Sequence, residues 1–335
     1  MKYGLKTYCS YNEVNGSFFY SSPYKQHQLK DLQNLFKSTS YNPQLKIHEP
    51  NSAYRLSKKE YQYEHKYNTL GLRGKEPVSD TCLNTVIALG DSFTEGEGTP
   101  SDSTWPALLQ NKLSLELYPK KIQCINAGCS GSDPFFEFLL LKKNLLGFKP
   151  KIVLLSINQS DIYDVVLRGG FERFTSNGKI TLKERPWWEF FYQFSFIIRH
   201  IVHDIFKINR QLMSDKTYRD EVKVALDKLQ QCVVSDFKNL AIDNKFELIV
   251  ILHPMQYELE NNSFNLDPLF YSLKKDKLIT TINLKEEFNI LKSKFQFQYS
   301  TLYWQNDMHH NSKGYQLWAT IMAEKISFTK TLTQQ

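Results

Sequence analysis

From Thr85 onward the chain repeats one unit: a short apolar run, a cluster of small and polar residues, then a stretch with helical spacing. The runs are TVIALG (85–90), KIQCINAG (121–128), KIVLLSIN (151–158), FELIVILHP (246–254) and KLITTINL (277–284). The first four are apolar without strict alternation, the pattern of strands covered on both faces. Residues 103–117, 134–147, 219–242, 285–295 and 312–325 read as helices between and after them. Strands that alternate with helices build a parallel sheet joined by right-handed crossovers. The expected class is therefore α/β, and in such a sheet chemistry gathers at the carboxyl ends of the strands.

Two segments break the rhythm. Residues 1–80 are polar and tyrosine-rich with no strong period, and read as an amino-terminal extension packing on a main domain at 81–330. Residues 165–214 carry RGGFERFTSNGKITLKERPWWEFFYQFSFIIRHIVHDIF, with Pro186 ahead of a strongly aromatic helix. This is expected to be a helical insertion packed near the mouth of the site, as a lid. Glu189, Arg199 and His203 do not sort into one basic face, which argues against a membrane-surface helix. Trp187, Trp188, Phe190 and Phe191 are expected in core packing rather than against a sugar face or a fatty chain.

Composition narrows the class. At 335 residues and 41% hydrophobic content, global disorder is excluded. The net charge of +7 is spread among interspersed acids, so no nucleic-acid surface is expected. The five cysteines are odd in number with no CxxC pair, and read as reduced thiols. The start MKYGLKTYCSYNEVNG lacks a signal-peptide core, and no run reaches about 18 apolar residues. A cytoplasmic protein without membrane insertion is expected; the oligomeric state is not legible.

Ser92 stands where the first run ends, in ALGDSFTEGEG (88–98). Gly90 permits a sharp turn, and a serine there would sit at a helix amino terminus, where backbone N–H groups favour developing negative charge. A serine hydroxyl is a weak nucleophile until a base takes its proton. WQNDMHHNSKGYQLWA (304–319) offers that base: in extended backbone, the Asp307 carboxylate could reach Nδ1 of His309 and leave Nε2 facing outward. The alternative is a polar loop whose Asn311 caps the last helix. His310 is the rival histidine and is expected to line the site or be exposed. INAGCSGSDP (125–134) offers the amides of Gly128 and Gly131; LLSINQSDIYD (154–164) offers Asn158, Ser160 and Asp161. Asp91 and His253 also fall at strand ends. The pair His200 and His203, one turn apart beside Asp204, could ligate zinc but lacks a third strong ligand nearby, and reads as surface or packing residues.

In these blocks the chain resembles the SGNH, or GDSL, hydrolase family. ALGDSFTEGEG resembles its first block, INAGCSGSD its second and DMHHNSKGY its last. YNTLGLRGKEP (67–77) resembles a stretch that precedes the serine block in many bacterial members, and the resemblance spans residues 67–325. It implies a three-layer α/β/α, flavodoxin-like fold and ester hydrolysis by Ser92, His309 and Asp307 without metal or organic cofactor. The oxyanion would be held by the Ser92 and Gly131 amides, with Gly128 the weaker choice. Two positions depart from the pattern. The family's commoner acid position is Asn306 here, which leaves Asp307 to serve. Ser160 stands where the family has its oxyanion asparagine, so Ser160 replaces it, or Asn158 does, or the hole lacks a donor; Asn158 is preferred. Bacterial members with an LGxRG segment often accompany glycan biosynthesis, so the resemblance implies an O-acetyl or other short-acyl sugar ester as substrate. Rival readings are a lipid esterase or thioesterase, a sugar O-acyltransferase, or a silent glycan- or protein-binding module. Activity is expected to decline below about pH 6.

Overall fold

Five of the strands form one sheet: β5 (Asn84–Gly90), β6 (Ile122–Gly128), β7 (Ile152–Ile157), β8 (Glu247–Leu252) and β9 (Ile279–Asn283), following hairpin strands β1 (Cys9–Asn12), β2 (Ser17–Tyr20), β3 (Ala53–Ser57) and β4 (Gln62–Lys66). The computed structural model describes residues 9–12, 17–20, 48–80, 82–174, 188, 191–192, 195–208 and 212–327. They fall into two compact units, Met1–Phe36 with Ile162–Lys228, and Lys37–Asp161 with Leu229–Gln335. The second unit holds the large sheet.

That sheet is wholly parallel, in the order β6-β5-β7-β8-β9. Each strand lies within three residues of the run that announced it. Val86, Ala88, Ile152, Leu154, Ile249 and Ile251 pack in one core with Trp105, Leu109, Phe288 and Trp318 from the helices Trp105–Glu116, Leu284–Phe295 and Ser312–Ser327. Their neighbours Ile87, Leu89, Val153, Leu155 and Val250 are equally buried, beside the helices Pro134–Leu140 and Lys238–Asn244. Coverage on both faces is why these strands read as continuous apolar runs. Trp105 and Trp318 stack at 4.8 Å and join two helices of the first layer. The chain leaves β5 for β6 on one side and then crosses to β7 on the other. Connections on opposite sides of β5 open a crevice at its carboxyl end.

Residues 48–80 share the sheet's unit, and they are not irregular. β3 and β4 pair antiparallel, from Ala53 with Lys66 to Ser57 with Gln62. Nearly every β3 side chain is exposed, so the strand shows no apolar alternation to read. Beyond β4, Asn68 Oδ1 accepts from the amides of Leu70 and Leu72 and folds a turn. That turn sends Arg73 inward, where it is 2% exposed. Its guanidinium donates to the carbonyls of Glu95 (3.0 Å), Gly96 (2.5 Å) and Thr99 (2.5 Å). Glu95 is itself buried and accepts from the Tyr67 hydroxyl and the Ser130 amide, both at 2.6 Å. Burial alone would raise its pKa, but His48, Tyr67 and Arg73 outweigh that and hold it at about 2. The segment after Ser92 is therefore stapled from outside the sheet.

In the other unit, Leu167, Tyr192, Val202 and Leu212 form a small core with Trp188, Ile198 and Ile208 packed against it. Trp188 packs as expected for this stretch, whereas Phe191 is 52% exposed; Trp187 and Phe190 lie outside the described residues. His203 is held between the Tyr192 hydroxyl and the Ile208 carbonyl, and exposed His200 pairs with Asp204. No helix among the described residues is long and apolar enough to cross a membrane.

Removing the Arg73 guanidinium leaves three buried carbonyls without their donor. Arg73→Met is expected to lower unfolding stability by about 3 kcal/mol in urea denaturation. A loss below about 1 kcal/mol would contradict the stapling role.

Candidate active site

β5 ends at Gly90, whose φ of +150° and lack of a side chain let the chain reverse; a Cβ there would lie 2.2 Å from Thr94 Oγ1. The helix Ser92–Glu95 starts at once, capped by Asp91 Oδ1, which accepts from the Phe93 amide at 3.0 Å. Ser92 thus stands at the crevice floor. Its Oγ lies 2.7 Å from Nε2 of His309, although 217 residues separate them. His309 Nδ1 lies 3.0 Å from Asp307 Oδ2. The two-residue spacing does not work through extended backbone as expected. Met308 between them adopts φ +67°, and that left-handed residue turns both side chains together.

Residues 58–61 hold this loop. The Tyr61 hydroxyl donates to Asp307 Oδ2, and Lys58 Nζ lies 3.6 Å from Oδ1. The Glu60 carboxylate accepts from the amides of Gln305 (3.0 Å), Asn306 (2.7 Å) and Asp307 (3.1 Å). Asn306, the position of the family's commoner acid, is exposed and enters this arrangement through its backbone. None of these supports was visible in sequence, because Lys58, Glu60 and Tyr61 sit in an ordinary polar stretch.

The electrostatics follow the geometry. Burial would raise the Asp307 pKa, but the hydrogen bond and charge of His309, the Tyr61 hydroxyl and Lys58 hold it at about 2. Burial would lower the His309 pKa; the Asp307 hydrogen bond and the charges of Glu97, Asp307 and Asp91 outweigh it and raise the pKa above 6.5. Glu97 was not anticipated. Its Oε2 lies 3.8 Å from His309 Nε2, on the side facing Ser92. The donor atoms of Glu97, Asp307 and His309 lie within 4.8 Å of one another, the one such grouping among the described residues. Lys58, 3.6 Å from each carboxylate, supplies the counter-charge there.

The remaining expected residues divide into two groups. Asn158 and Ser160 converge on Asp91: its Oδ2 accepts from Asn158 Nδ2 at 2.9 Å and lies 3.0 Å from Ser160 Oγ. Burial pushes the Asp91 pKa up, against the hydrogen bonds from Asn158, Phe93 and Ser160. Gly131 lies in the loop after β6 with φ +77°. Four others do not line the crevice. Gly128 donates its amide to Asn126 Oδ1, and a Cβ there would lie 2.1 Å from the Glu95 nitrogen; it is a packing glycine. Asp161 is 1% exposed and its carboxylate accepts from the Asn158 amide at 2.7 Å, fixing the turn after β7.

His253 and His310 are the other two, and both are wholly buried. Their Nε2 atoms lie 2.9 Å apart, behind the Phe93 ring that separates them from His309. His310 Nδ1 faces the Leu302 carbonyl at 3.0 Å, which assigns that nitrogen the proton. His253 must then donate through Nε2. The pair is a neutral link between the end of β8 and the His309 loop, so His310 neither lines the site nor is exposed.

No protein-family model matches the sequence, and no curated protein matches it. Solved structures do. The chain is similar to a two-domain esterase active on acetylated mannans, at 12% identity and a TM-score of 0.45, over 75% of this chain and 50% of that one. It therefore spans half the length of that protein. It is similar to an acetyl xylan esterase at 16% identity and a TM-score of 0.43, over 72% of this chain and 99% of that one. A third is Axe2, an acetylxylan esterase from Geobacillus stearothermophilus, at 15% identity and a TM-score of 0.45, over 73% and 95%. All three of those proteins are named as esterases.

Burial lowers the pKa of His310 to about 3 and that of His253 well below 6.5. A histidine whose folded pKa is depressed contributes stability above its unfolded pKa and loses it as pH falls. The melting temperature should accordingly fall as pH drops from about 6.5 towards 3, with a shallower slope in His310→Gln. An unchanged slope would show that the pair does not carry the effect.

Proposed function

We propose that the chain is an SGNH-type serine hydrolase of carboxylic esters. One observation carries the reading: the hydroxyl of Ser92 lies 2.7 Å from a ring nitrogen whose opposite nitrogen faces a carboxylate 3.0 Å away. Nucleophile, base and orienting acid are the parts that acyl transfer requires.

Ser92 Oγ attacks the ester carbonyl carbon while His309 Nε2 takes its proton. Asp307, kept ionised, holds the Nδ1–H tautomer and steadies the imidazolium. The tetrahedral oxyanion is held by the amides of Ser92 and Gly131, with Asn158 Nδ2 as the side-chain donor in preference to Ser160. Asn158 Nδ2 carries a second hydrogen beyond the one directed at Asp91. Collapse expels the alcohol, which leaves with the proton from His309. A water then attacks acyl-Ser92, gives its proton to the same nitrogen and releases the acid. The residues at 67–77 that resemble glycan-associated bacterial members point to an O-acetyl or other short-acyl sugar ester.

A fluorophosphonate probe should label the wild type and not Ser92→Ala; a wild type that resists labelling would favour a silent binding module. His309→Ala should lower ester turnover by roughly a thousandfold or more. Because the His309 pKa is raised, the acid limb of kcat/KM should have its midpoint above 6.5, higher than the sequence alone suggested. A limb centred below that value would contradict the ascribed surroundings of the base.

A further inference from the structure

We propose that Glu97 is a second acid to His309, a carboxylate on the Nε2 side of the ring that steadies the imidazolium formed when Ser92 gives up its proton. The inference rests on the acyl-transfer reading of Ser92 and His309. Asp307 meets the ring at Nδ1; Glu97 Oε2 stands 3.8 Å from Nε2, the nitrogen that receives and returns the proton. That distance is too long for a hydrogen bond and short enough for strong coulombic coupling in a half-buried site. Glu97 therefore leaves the Ser92–His309 hydrogen bond undisturbed. Throughout the cycle the proton passes from Ser92 Oγ to Nε2 and on to the leaving oxygen, and none goes to Glu97.

The carboxylate is fixed in place. Its amide donates to the Ser92 carbonyl at 2.9 Å, and its carbonyl accepts from the Tyr315 hydroxyl at 2.8 Å. Ser130 Oγ donates to Oε2 at 3.4 Å, and Lys58 Nζ lies 3.6 Å from Oε1. Glu97 is thus set by the turn after Ser92 itself, so nucleophile and second acid move together. The charged and titratable groups around His309 are Asp307, Glu97 and Asp91 as acids, Lys58 as the cation beside two of them, and the neutral pair His253 and His310 behind Phe93. Against burial, the Asp307 hydrogen bond and the charges of Glu97, Asp307 and Asp91 raise the His309 pKa. Lys58, 42% exposed and equidistant from both carboxylates, tempers the two at once.

Opposite signs follow for two substitutions. In Glu97→Gln, which keeps size and hydrogen bonding, the His309 titration followed by imidazole NMR should move down by roughly half to one pH unit. The acid limb of ester turnover should move with it, and the plateau rate should fall about threefold to tenfold. In Lys58→Met, which removes the cation 3.6 Å from both carboxylates, the titration should move up. A titration unmoved by Glu97→Gln, or moved in the same direction by both, would overturn the proposal. Because NMR reads the imidazole without any substrate, a wild type that turns over no ester would sink the hydrolase reading separately from this coupling.

Discussion

A contact of 2.7 Å between Ser92 Oγ and His309 Nε2 joins the end of the first sheet strand to a loop near the other end of the chain. Much of the described architecture around it acts to keep those two atoms in register. The hydroxyl is placed by the reversal at Gly90 and the cap from Asp91, both properties of the β5 terminus. The imidazole is placed by a loop that has no regular structure and must be held from outside. Glu60 takes three of its amides, Tyr61 and Lys58 reach its carboxylate, and His253 links to it from behind. Asn311 caps the helix that follows, accepting from the amides of Lys313 and Gly314, so the capping role expected of that residue coexists with the histidine's placement.

The acids at this end of the sheet are sorted by their surroundings. Buried Glu95 and half-buried Asp307 are both held at about 2, because cations, hydroxyls and imidazoles outweigh desolvation. Asp91 is pushed up by burial, and so, farther, is Glu137, which also lies near the charges of Asp133 and Asp91. The ionised pair faces the segments at 48–80; the raised pair lies under the turns that follow β5 and β6. Electrostatic pre-organisation of this kind costs folding stability when any partner is removed, since a buried charge is left uncompensated. Residues 48–80 accordingly share a unit with the sheet: the cations Lys58 and Arg73 and the hydroxyl donors Tyr61 and Tyr67 come from there.

What the sequence made legible was what local pattern controls. Doubly covered strands announce themselves as apolar runs, and residues at their ends are placed by the topology alone. Ser92, Gly131, Asn158 and Ser160 were singled out that way, and Asp307 and His309 by their spacing. Contacts that close over long sequence separations left no local trace. Tyr61 meets Asp307 across 246 residues, and the left-handed turn at Met308 is not a conformation its side chain suggests. His310 was misjudged for the same reason: only the arrival of β8 behind the loop, carrying His253, turns an apparently exposed histidine into a buried link. The role of Glu97 depends on how the turn after Ser92 folds back, which no spacing rule encodes.

Acyl transfer by this site requires Ser92 to become acylated, and mass spectrometry of the protein quenched during turnover of an acetyl ester reads that directly. The expected result is an acetyl group on the peptide that carries Ser92, absent in Ser92→Ala. Turnover with the acetyl group on another residue, or with no acylated protein at any quench time, would contradict it.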